Sequence, residues 1–229
     1  MEIIRSRQNR QVQRLRMLGT SARYRSESGE FLAVGRKLYD EANTAGLNIT
    51  SVLTDETAIP EILGYISGMS SPPDMVFSAE IPENTAADIL LKRVVLMENV
   101  QDPGNVGTII RTADALNYGV AVLGGCADPW SPKVIRGAMG AVFRVPIARL
   151  SNAEEIKLPF IAAVARDGVS ASDFVPPSEF AIAIGNEGSG LSDALNALSD
   201  YKVTIPISAA SESLNAASAA AILMWQFSR

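Results

Sequence analysis

Residues 205–225 read IPISAASESLNAASAAAILMW, and this stretch decides how the C-terminal part of the chain is organised. The pattern predicts a buried strand, a polar loop and then a helix with an unusually small apolar side. Ser213 and Asn215 stand where the free N–H groups of a helix start need hydrogen-bond acceptors. The stretch is therefore compatible with a capped core helix or with one wall of a ligand site. The residues at helical spacing are Leu214, Ala217, Ala221 and Met224.

The composition bounds the chemistry available to the chain. Its 229 residues are 47% hydrophobic and 20% charged, which suits one large domain or two small ones with a buried core. Cys126 is the only cysteine, and the chain has no histidine. An internal disulfide, multi-cysteine zinc sites, His-based triads and His metal sites are therefore excluded. Catalysis has to use Arg, Lys, carboxylates, hydroxyls, amides or a bound cofactor, and we expect no metal.

Two further features predict the protein's compartment. No apolar run approaches the ~18 residues of a membrane helix, and the first residues lack the apolar core of a signal peptide. A single cysteine also fits a reducing compartment. We therefore expect a cytoplasmic protein with no membrane partner.

The charge of the chain is unevenly distributed. The net charge is −5, yet the first 40 residues contain nine basic residues and only four acidic ones. A local basic field can hold a phosphate backbone on an acidic protein. This segment is therefore either a solvated basic face or a contact surface for RNA.

Predicted strands and helices alternate along the chain, which indicates an α/β architecture. We predict an N-terminal domain at residues 1–80, a linker at 81–92 and a second domain at 93–229 with a parallel sheet. Predicted strands cover 31–35, 49–53, 75–77, 93–97, 120–123, 160–165, 180–184 and 202–205. Predicted helices cover 8–18, 37–45, 59–66, 106–116, 132–139, 191–198 and 214–227.

Three predicted loops follow strands of the second domain, at the sheet edge where parallel α/β folds bind ligands. They cover residues 99–107, 185–191 and 205–215. The first loop leads into a helix that carries Arg111 roughly opposite its buried side. Arg111 is either an ordinary surface arginine or a ligand contact. Together the loops predict a site for a small polar ligand.

The glycine-rich loop at 185–191 allows backbone amides to approach a ligand closely. Its sequence fits neither the dinucleotide fingerprint nor a P-loop. Glu187 inside the loop is a poor choice for cradling phosphate and favours a cationic or hydroxyl-bearing ligand.

The three loops together resemble the SpoU family of RNA ribose 2′-O-methyltransferases, within the SPOUT superfamily. The first family motif is matched by residues 99–105, Gly107 and Arg111. The second is matched by residues 185–188 with Gly190 and Leu191, and the third by Ile205-Pro206 and Ser213-Leu214-Asn215. The resemblance extends over residues 93–228 and includes the segments 128–132 and 136–143 between the first two motifs.

The first 80 residues are similar to the L30e-like substrate-binding domain that several rRNA methyltransferases of this family carry. The similarity rests on Ser6-Arg7-Gln8-Asn9 and on the strand-to-helix run at 31–42. The segment Val34-Gly35-Arg36 departs from the acidic-Gly pattern of that domain. The resemblance implies that the N-terminal basic segment contacts the RNA.

The resemblance also implies an S-adenosylmethionine (AdoMet) site in a deep C-terminal trefoil knot, and a homodimer formed through the knotted domain. Physical rules alone argue against a knot, because knots are nearly absent from proteins. The implied cofactor-binding residues are Gly185, Asn186, Gly188, Ile205, Ser213 and Leu214. The implied catalytic residues are Asn105, Arg111, Glu187, Ser213 and Asn215.

Several roles remain open within this reading. Arg111 either activates the ribose 2′-hydroxyl or clamps the neighbouring phosphate, since a guanidinium rarely gives up its proton. Asn105 would support the loop, and Glu187 would orient Arg111 or a substrate group, or only hold the knot together. Ser213 and Asn215 would position the cofactor loop and the RNA, although Asn215 alone is explained by helix capping.

The expected function is AdoMet-dependent 2′-O-methylation of 23S rRNA. The alternatives are a tRNA-acting member of the family and a knotted RNA-binding protein without activity. The L30e-like N-terminus favours rRNA, and the presence of all three motifs favours catalysis.

Overall fold

The computed structural model describes residues 3–84, 92–208 and 211–229. Its helices are α1 (Arg10–Thr20), α2 (Ala22–Ser28), α3 (Arg36–Thr44), α4 (Pro60–Ser67), α5 (Pro103–Leu116), α6 (Pro132–Ala138), α7 (Asp193–Leu198) and α8 (Ala216–Gln226). Its strands are β1 (Glu30–Val34), β2 (Ile49–Thr54), β3 (Met75–Glu80), β4 (Arg93–Glu98), β5 (Gly119–Leu123), β6 (Ile147–Leu150), β7 (Phe160–Ala163), β8 (Val169–Ser170), β9 (Phe180–Ile184) and β10 (Tyr201–Thr204). Short 3-10 turns cover Ala141–Phe143 and Ala153–Glu155.

The contacts divide the chain into two compact units. The first contains Met1–Pro82 and Asp128–Phe143, and the second contains Glu83–Ala127 and Arg144–Arg229. The sequence analysis assigned residues 128–143 to the second domain, whereas their contacts lie within the first unit. Most of the linker predicted at 81–92 falls on residues 85–91, outside the described part of the chain.

The first unit is built on a three-stranded antiparallel sheet in the order β1-β3-β2. Side chains of successive strand residues point to opposite faces, so different side chains pack on each face of the sheet. One face presents Leu32, Leu53 and Val76 to a core that α1 and α4 complete. On β1 and β3, Phe31 and Phe77 belong to the aromatic cluster of the unit, with ring centroids 6.5 Å apart.

The segment 128–143 joins the first unit through aromatic stacking and a buried ion pair. The ring centroids of Trp130 and Phe143 lie 5.1 Å and 5.6 Å from that of Phe31. The Arg25 guanidinium donates to the Asp128 carboxylate at 2.7 Å, and only 5% of the Arg25 side chain is exposed. These contacts explain why residues 128–143 pack in the first unit and not in the second domain, where they were predicted.

The second unit contains a seven-stranded, entirely parallel sheet in the order β6-β5-β4-β9-β7-β10-β8. The predicted α/β fold with a parallel sheet is thereby confirmed. Its central strands are apolar on both faces, and α5 packs against α8. Tyr118, at the start of β5, is 1% exposed and donates its hydroxyl to the Met224 carbonyl at 3.0 Å.

The sequence analysis missed α2, β6 and β8. The strand β6 follows Pro146 and contains the exposed Arg149, which interrupts its apolar pattern. The helix α2 is polar, and its one buried residue is Arg25. The strand β8 has two residues, too few to show an alternating pattern of apolar and polar side chains. Across the described residues, no helix is long and apolar enough to cross a membrane.

Candidate active site

A cavity of about 530 Å³ opens in the second unit, beside the carboxyl ends of β7, β9 and β10. Pockets that hold small ligands and cofactors have this size. The three segments that follow these strands build its walls, as expected for a parallel sheet. All six predicted cofactor-binding residues line it, namely Gly185, Asn186, Gly188, Ile205, Ser213 and Leu214.

The glycine loop is a closed turn. Asn186 and Gly190 exchange two backbone hydrogen bonds of 3.0 Å and 2.9 Å. The Asn186 side-chain oxygen also accepts from the Gly188 and Ser189 amides. A Cβ on Gly185 would overlap the backbone of Gly190 and Leu191, so the turn can close only with glycine at this position.

Three of the predicted catalytic side chains form one hydrogen-bonded chain. Asn215 donates to Asn105 at 2.9 Å, and Asn105 donates to Glu187 at 2.6 Å. The Asn215 side-chain oxygen accepts from the Ala217 and Ser218 amides and so caps α8. Helix capping and site construction, which the sequence presented as alternatives for Asn215, are therefore combined in one side chain.

Residues that follow β4 hold Asn105 and the glycine loop in place. Asp102 caps α5 by accepting from the Asn105 amide at 2.8 Å, which sets the place where Asn105 emerges. Asn99 adopts a left-handed conformation, with φ of 55°. Its carbonyl accepts from the Asn186 side chain at 3.0 Å, and its side-chain oxygen accepts from the Gly125 amide at 2.7 Å.

Arg111 stands apart from the other predicted residues. It is exposed on α5, and like Asn105 and Asn215 it is not among the residues that line the cavity. The six-residue separation from Asn105, at ~100° per residue, places the two side chains on different sides of the helix. Within the described residues, Arg111 makes no hydrogen bond or ion pair, and the Glu187 carboxylate contacts Asn105 instead.

Three residues near the loops were not predicted from the sequence, namely Glu212, Glu98 and Ser192. Glu212 lines the cavity beside the predicted Ser213. Glu98 is buried, with 6% exposure, and its carboxylate accepts from both the amide and the hydroxyl of Ser192 at 2.7 Å. An acidic residue closing the apolar strand 93–98 was the available signal for Glu98.

The residues that line the cavity suit a nucleoside ligand that carries a positive charge. Ile205 and Leu214 supply apolar walls, and the glycine loop supplies exposed backbone groups. Glu187 and Glu212 supply carboxylates that favour a cationic group. These features fit the adenosine and the sulfonium and ammonium groups of the cofactor that the sequence resemblance implies.

Cys126 lies near the same loops but is unsuited to act as a nucleophile. Its thiol donates to the carbonyls of Met97 at 3.2 Å and Leu123 at 3.3 Å. Burial raises the pKa of this thiol, which disfavours the reactive thiolate.

The basic N-terminal residues divide into two groups. Four arginines are engaged: Arg14 with Glu30, Arg16 with the Tyr65 carbonyl, Arg23 with Glu27, and Arg25 with Asp128. The Arg7 guanidinium lies 4.7 Å from the centre of the Tyr65 ring. Among the described basic residues of the first 40, the exposed side chains that make no hydrogen bond, ion pair or ring contact are Arg5, Arg10, Arg36 and Lys37.

Comparison with known proteins places this geometry in a family. A model of the SpoU rRNA Methylase family matches residues 92–225. The chain is 32% identical to the 23S rRNA (guanosine(2553)-2′-O)-methyltransferase RlmP of Bacillus subtilis, over 98% of each chain. It is 31% identical to the 23S rRNA (uridine(2479)-2′-O)-methyltransferase of Streptomyces viridochromogenes, over 88% of this chain and 83% of the relative.

Two solved structures have the same fold over nearly the whole chain. The SpoU methyltransferase AviRb of Streptomyces viridochromogenes, in complex with AdoMet, has a TM-score of 0.89 at 28% identity and covers 96% of this chain and 97% of its own. An AdoMet-bound rRNA methyltransferase of Sinorhizobium meliloti has a TM-score of 0.89 at 27% identity and covers 99% of this chain and 97% of its own. The family match, the two relatives and the parallel fold agree, and the chain belongs to the SpoU rRNA methylase family.

Proposed function

We propose that the protein is an AdoMet-dependent methyltransferase that modifies a ribose 2′-hydroxyl of 23S rRNA. One observation carries the proposal: a chain similar along its full length to such an enzyme brings all six expected cofactor residues to one cavity. The two relatives are named for different nucleosides, a guanosine and a uridine, but for the same ribose oxygen. The ribose is therefore the shared target, and the nucleoside is specific to each enzyme.

The cavity residues would hold the cofactor. When bound, AdoMet supplies an electrophilic methyl group on its sulfonium. Ile205 and Leu214 would pack against its adenosine part, and the backbone at 185–190 would accept and donate around it. Glu187 and Glu212 would favour its positive groups, while Ser213 would hold the loop before α8 in place.

The side chains outside the cavity would align the RNA. Methyl transfer needs the ribose oxygen held in line with the methyl group, and the 2′-hydroxyl has to lose its proton. Asn215 and Asn105 keep the Glu187 carboxylate in a fixed position. Arg111 would contact the RNA, either as the group that activates the hydroxyl or as a clamp on the adjacent phosphate.

We also propose that the active enzyme is a homodimer built through the second unit, with a C-terminal trefoil knot. The position of Arg111 supports this arrangement, because Arg111 does not line the cavity of its own chain. A second copy would bring its Arg111 to that cavity. On α8, Ile222 and Trp225 are 42% and 51% exposed, which supplies an apolar surface for such a contact.

Residues 1–80 of the first unit are proposed to be the L30e-like substrate domain. Arg5, Arg10, Arg36 and Lys37 are the basic residues available for phosphate contacts. An rRNA substrate also implies that the enzyme works in the cytoplasm, where bacterial ribosomes are assembled.

Methylation mapping tests the proposal. Sites of 2′-O-methylation in rRNA and tRNA are compared with and without the gene, and the loss of one 23S rRNA site is expected. Loss of a tRNA site instead would establish the tRNA-acting alternative. Calorimetry that detects no AdoMet binding would favour a non-catalytic RNA-binding protein.

A variant separates the catalytic assignment from the binding assignment. Arg111→Ala is expected to abolish methyl transfer while AdoMet binding and the fold remain intact. Full activity in this variant would end the assignment of Arg111 to catalysis.

A further inference from the structure

The carboxyl end of β4 holds both ends of the glycine loop. At the loop's entry, the Asn186 side chain donates to the Asn99 carbonyl at 3.0 Å. At its exit, the Ser192 amide and hydroxyl each donate to the Glu98 carboxylate at 2.7 Å. Glu98, the last residue of β4, and Asn99, which follows it, therefore fix the two points between which the loop closes.

Glu98 is an unusual residue for this place. It is 6% exposed at the end of an apolar strand, and no cation pairs with it among the described residues. Burying a carboxylate without a cation is unfavourable unless hydrogen bonds replace its water. Ser192 supplies those bonds, one to each carboxylate oxygen, so Glu98 constrains both the position and the orientation of Ser192.

Ser192 transmits the constraint in two directions. Its hydroxyl oxygen accepts from the Leu195 amide at 3.2 Å and so caps α7. Along the chain, it stands two residues after Gly190, whose backbone is paired with Asn186. A shift of Ser192 would move Gly190 and reopen the turn that lines the cavity.

We propose that Glu98 is a positioning residue that acts through Ser192 to hold the loop 185–190 in its binding shape. The inference rests on the proposed function, because it assigns the loop to AdoMet. Glu98 does not line the cavity, and its contribution is the shape of the loop. The proposal therefore predicts a selective effect on AdoMet, with the affinity for RNA unchanged.

The test compares Glu98→Gln with a matched control, Glu155→Gln. Glu155 also accepts two backbone amides, those of Ser151 and Asn152 at 2.7 Å and 3.0 Å, in the same unit but away from the cavity. Glu98→Gln is expected to weaken AdoMet binding in calorimetry about tenfold, the loss of a charge-assisted hydrogen bond. The KM for AdoMet should rise by a similar factor, while kcat and the KM for RNA change little, and Glu155→Gln should behave as wild type.

Hydrogen exchange of the ligand-free protein provides a readout that does not depend on AdoMet. Amides of residues 186–192 should exchange faster in Glu98→Gln, whereas those of β7 should not change. Wild-type exchange and wild-type AdoMet affinity in folded Glu98→Gln would overturn the proposal. Failure of the wild-type protein to bind AdoMet would instead overturn the proposed function, and the exchange result would still decide the role of Glu98.

Two variants of Ser192 complete the test. Ser192→Thr keeps both donors and should retain wild-type exchange and affinity, while Ser192→Ala keeps only the amide donor and should reproduce part of the Glu98→Gln effect. If Glu98→Gln does not fold, Ser192→Ala decides the question, and unchanged exchange in that variant would contradict the proposal.

Discussion

The side-chain amide of Asn215 donates to the side-chain oxygen of Asn105 at 2.9 Å, joining two residues that are 110 positions apart in sequence. Each of them lies at the start of a helix, Asn215 as the cap of α8 and Asn105 in the first turn of α5. Asn105 also donates to Glu187, so two bonds that share Asn105 connect the third motif to the first and the first to the second.

The two roles of Asn215, capping α8 and donating to Asn105, should affect stability and activity separately. Asn215→Ala removes both and should lower the free energy of unfolding by about 1 kcal/mol, the usual worth of an N-cap. Asn215→Ser keeps a capping oxygen but cannot donate an amide to Asn105, so the stability should be largely retained while methyl transfer falls. Chemical denaturation and methyl-transfer rates measure the two effects, and equal losses of activity and stability in both variants would contradict this separation.

The two glycines of the loop should respond differently to alanine. At Gly185 a Cβ would overlap the backbone of Gly190 and Leu191, so Gly185→Ala should open the turn and strongly weaken AdoMet binding. At Gly188 the nearest atom to a Cβ, the Asn186 side-chain oxygen, lies 3.5 Å away, an ordinary contact. Gly188→Ala is therefore the control, and calorimetry should show a much smaller change. Comparable affinities in the two variants would show that the closed turn is not needed for binding.

Breaking the Arg25–Asp128 pair should destabilise the first unit. Removal of one partner of a fully buried pair costs about 3–5 kcal/mol. This pair should cost less, because the Asp128 side chain is 18% exposed and also accepts from the Trp130 amide. Arg25→Met should therefore lower the denaturation midpoint, and combining it with Asp128→Leu, which removes the carboxylate that Arg25 balances, should recover part of the stability. A double variant as unstable as the single one would mean that the pair contributes mainly through packing.

Tyr118 should make the stability of the second unit sensitive to alkaline pH. Burial raises the pKa of Tyr118 above its ordinary value of about 10. Above that pH the unfolded chain releases the proton and the folded protein retains it, so folding stability decreases as pH rises. Tyr118→Phe lacks this dependence, and the difference in unfolding free energy between wild type and variant should shrink above pH ~10. A constant difference between pH 9 and 11, measured by denaturant titration, would contradict the assignment.

The available arginines should set the salt dependence of RNA binding. Arg5→Ala and Arg10→Ala together should weaken binding and reduce the slope of log affinity against log salt by about one for each lost phosphate contact. Arg23→Ala is the control, because the Arg23 guanidinium is also exposed but is already paired with Glu27 at 2.6 Å. Filter binding over a range of salt concentrations measures the slopes, and equal slopes for both proteins would remove Arg5 and Arg10 from the RNA interface.

Five of the seven strands of the parallel sheet were predicted from the sequence, because they are short apolar runs between turn residues. The three loops were predictable as a group, since parallel strands end at one edge and the family motifs coincide there. The hydrogen bonds among Asn105, Glu187 and Asn215 were not predictable, because they join positions far apart in sequence. The role of Glu98 was not predictable for the same reason, because it depends on hydrogen bonds from Ser192, 94 positions away.

The first unit was harder to delimit from the sequence. Periodicity identifies helices and strands one at a time, and it located α6 correctly within one residue. It carries no information on which sheet a helix packs against. The stacking of Trp130 and Phe143 on Phe31 decides that question, and it is a property of three residues from distant parts of the chain.

The course of the chain through residues 128–143 limits how the protein can be recombined. Exchanging residues 1–82 for another module would remove Phe31 and Arg25, and so the stacking partner of Trp130 and Phe143 and the ion-pair partner of Asp128. A hybrid gene would therefore have to replace residues 128–143 together with the N-terminal segment, although the two pieces are encoded on either side of the first methyltransferase motif.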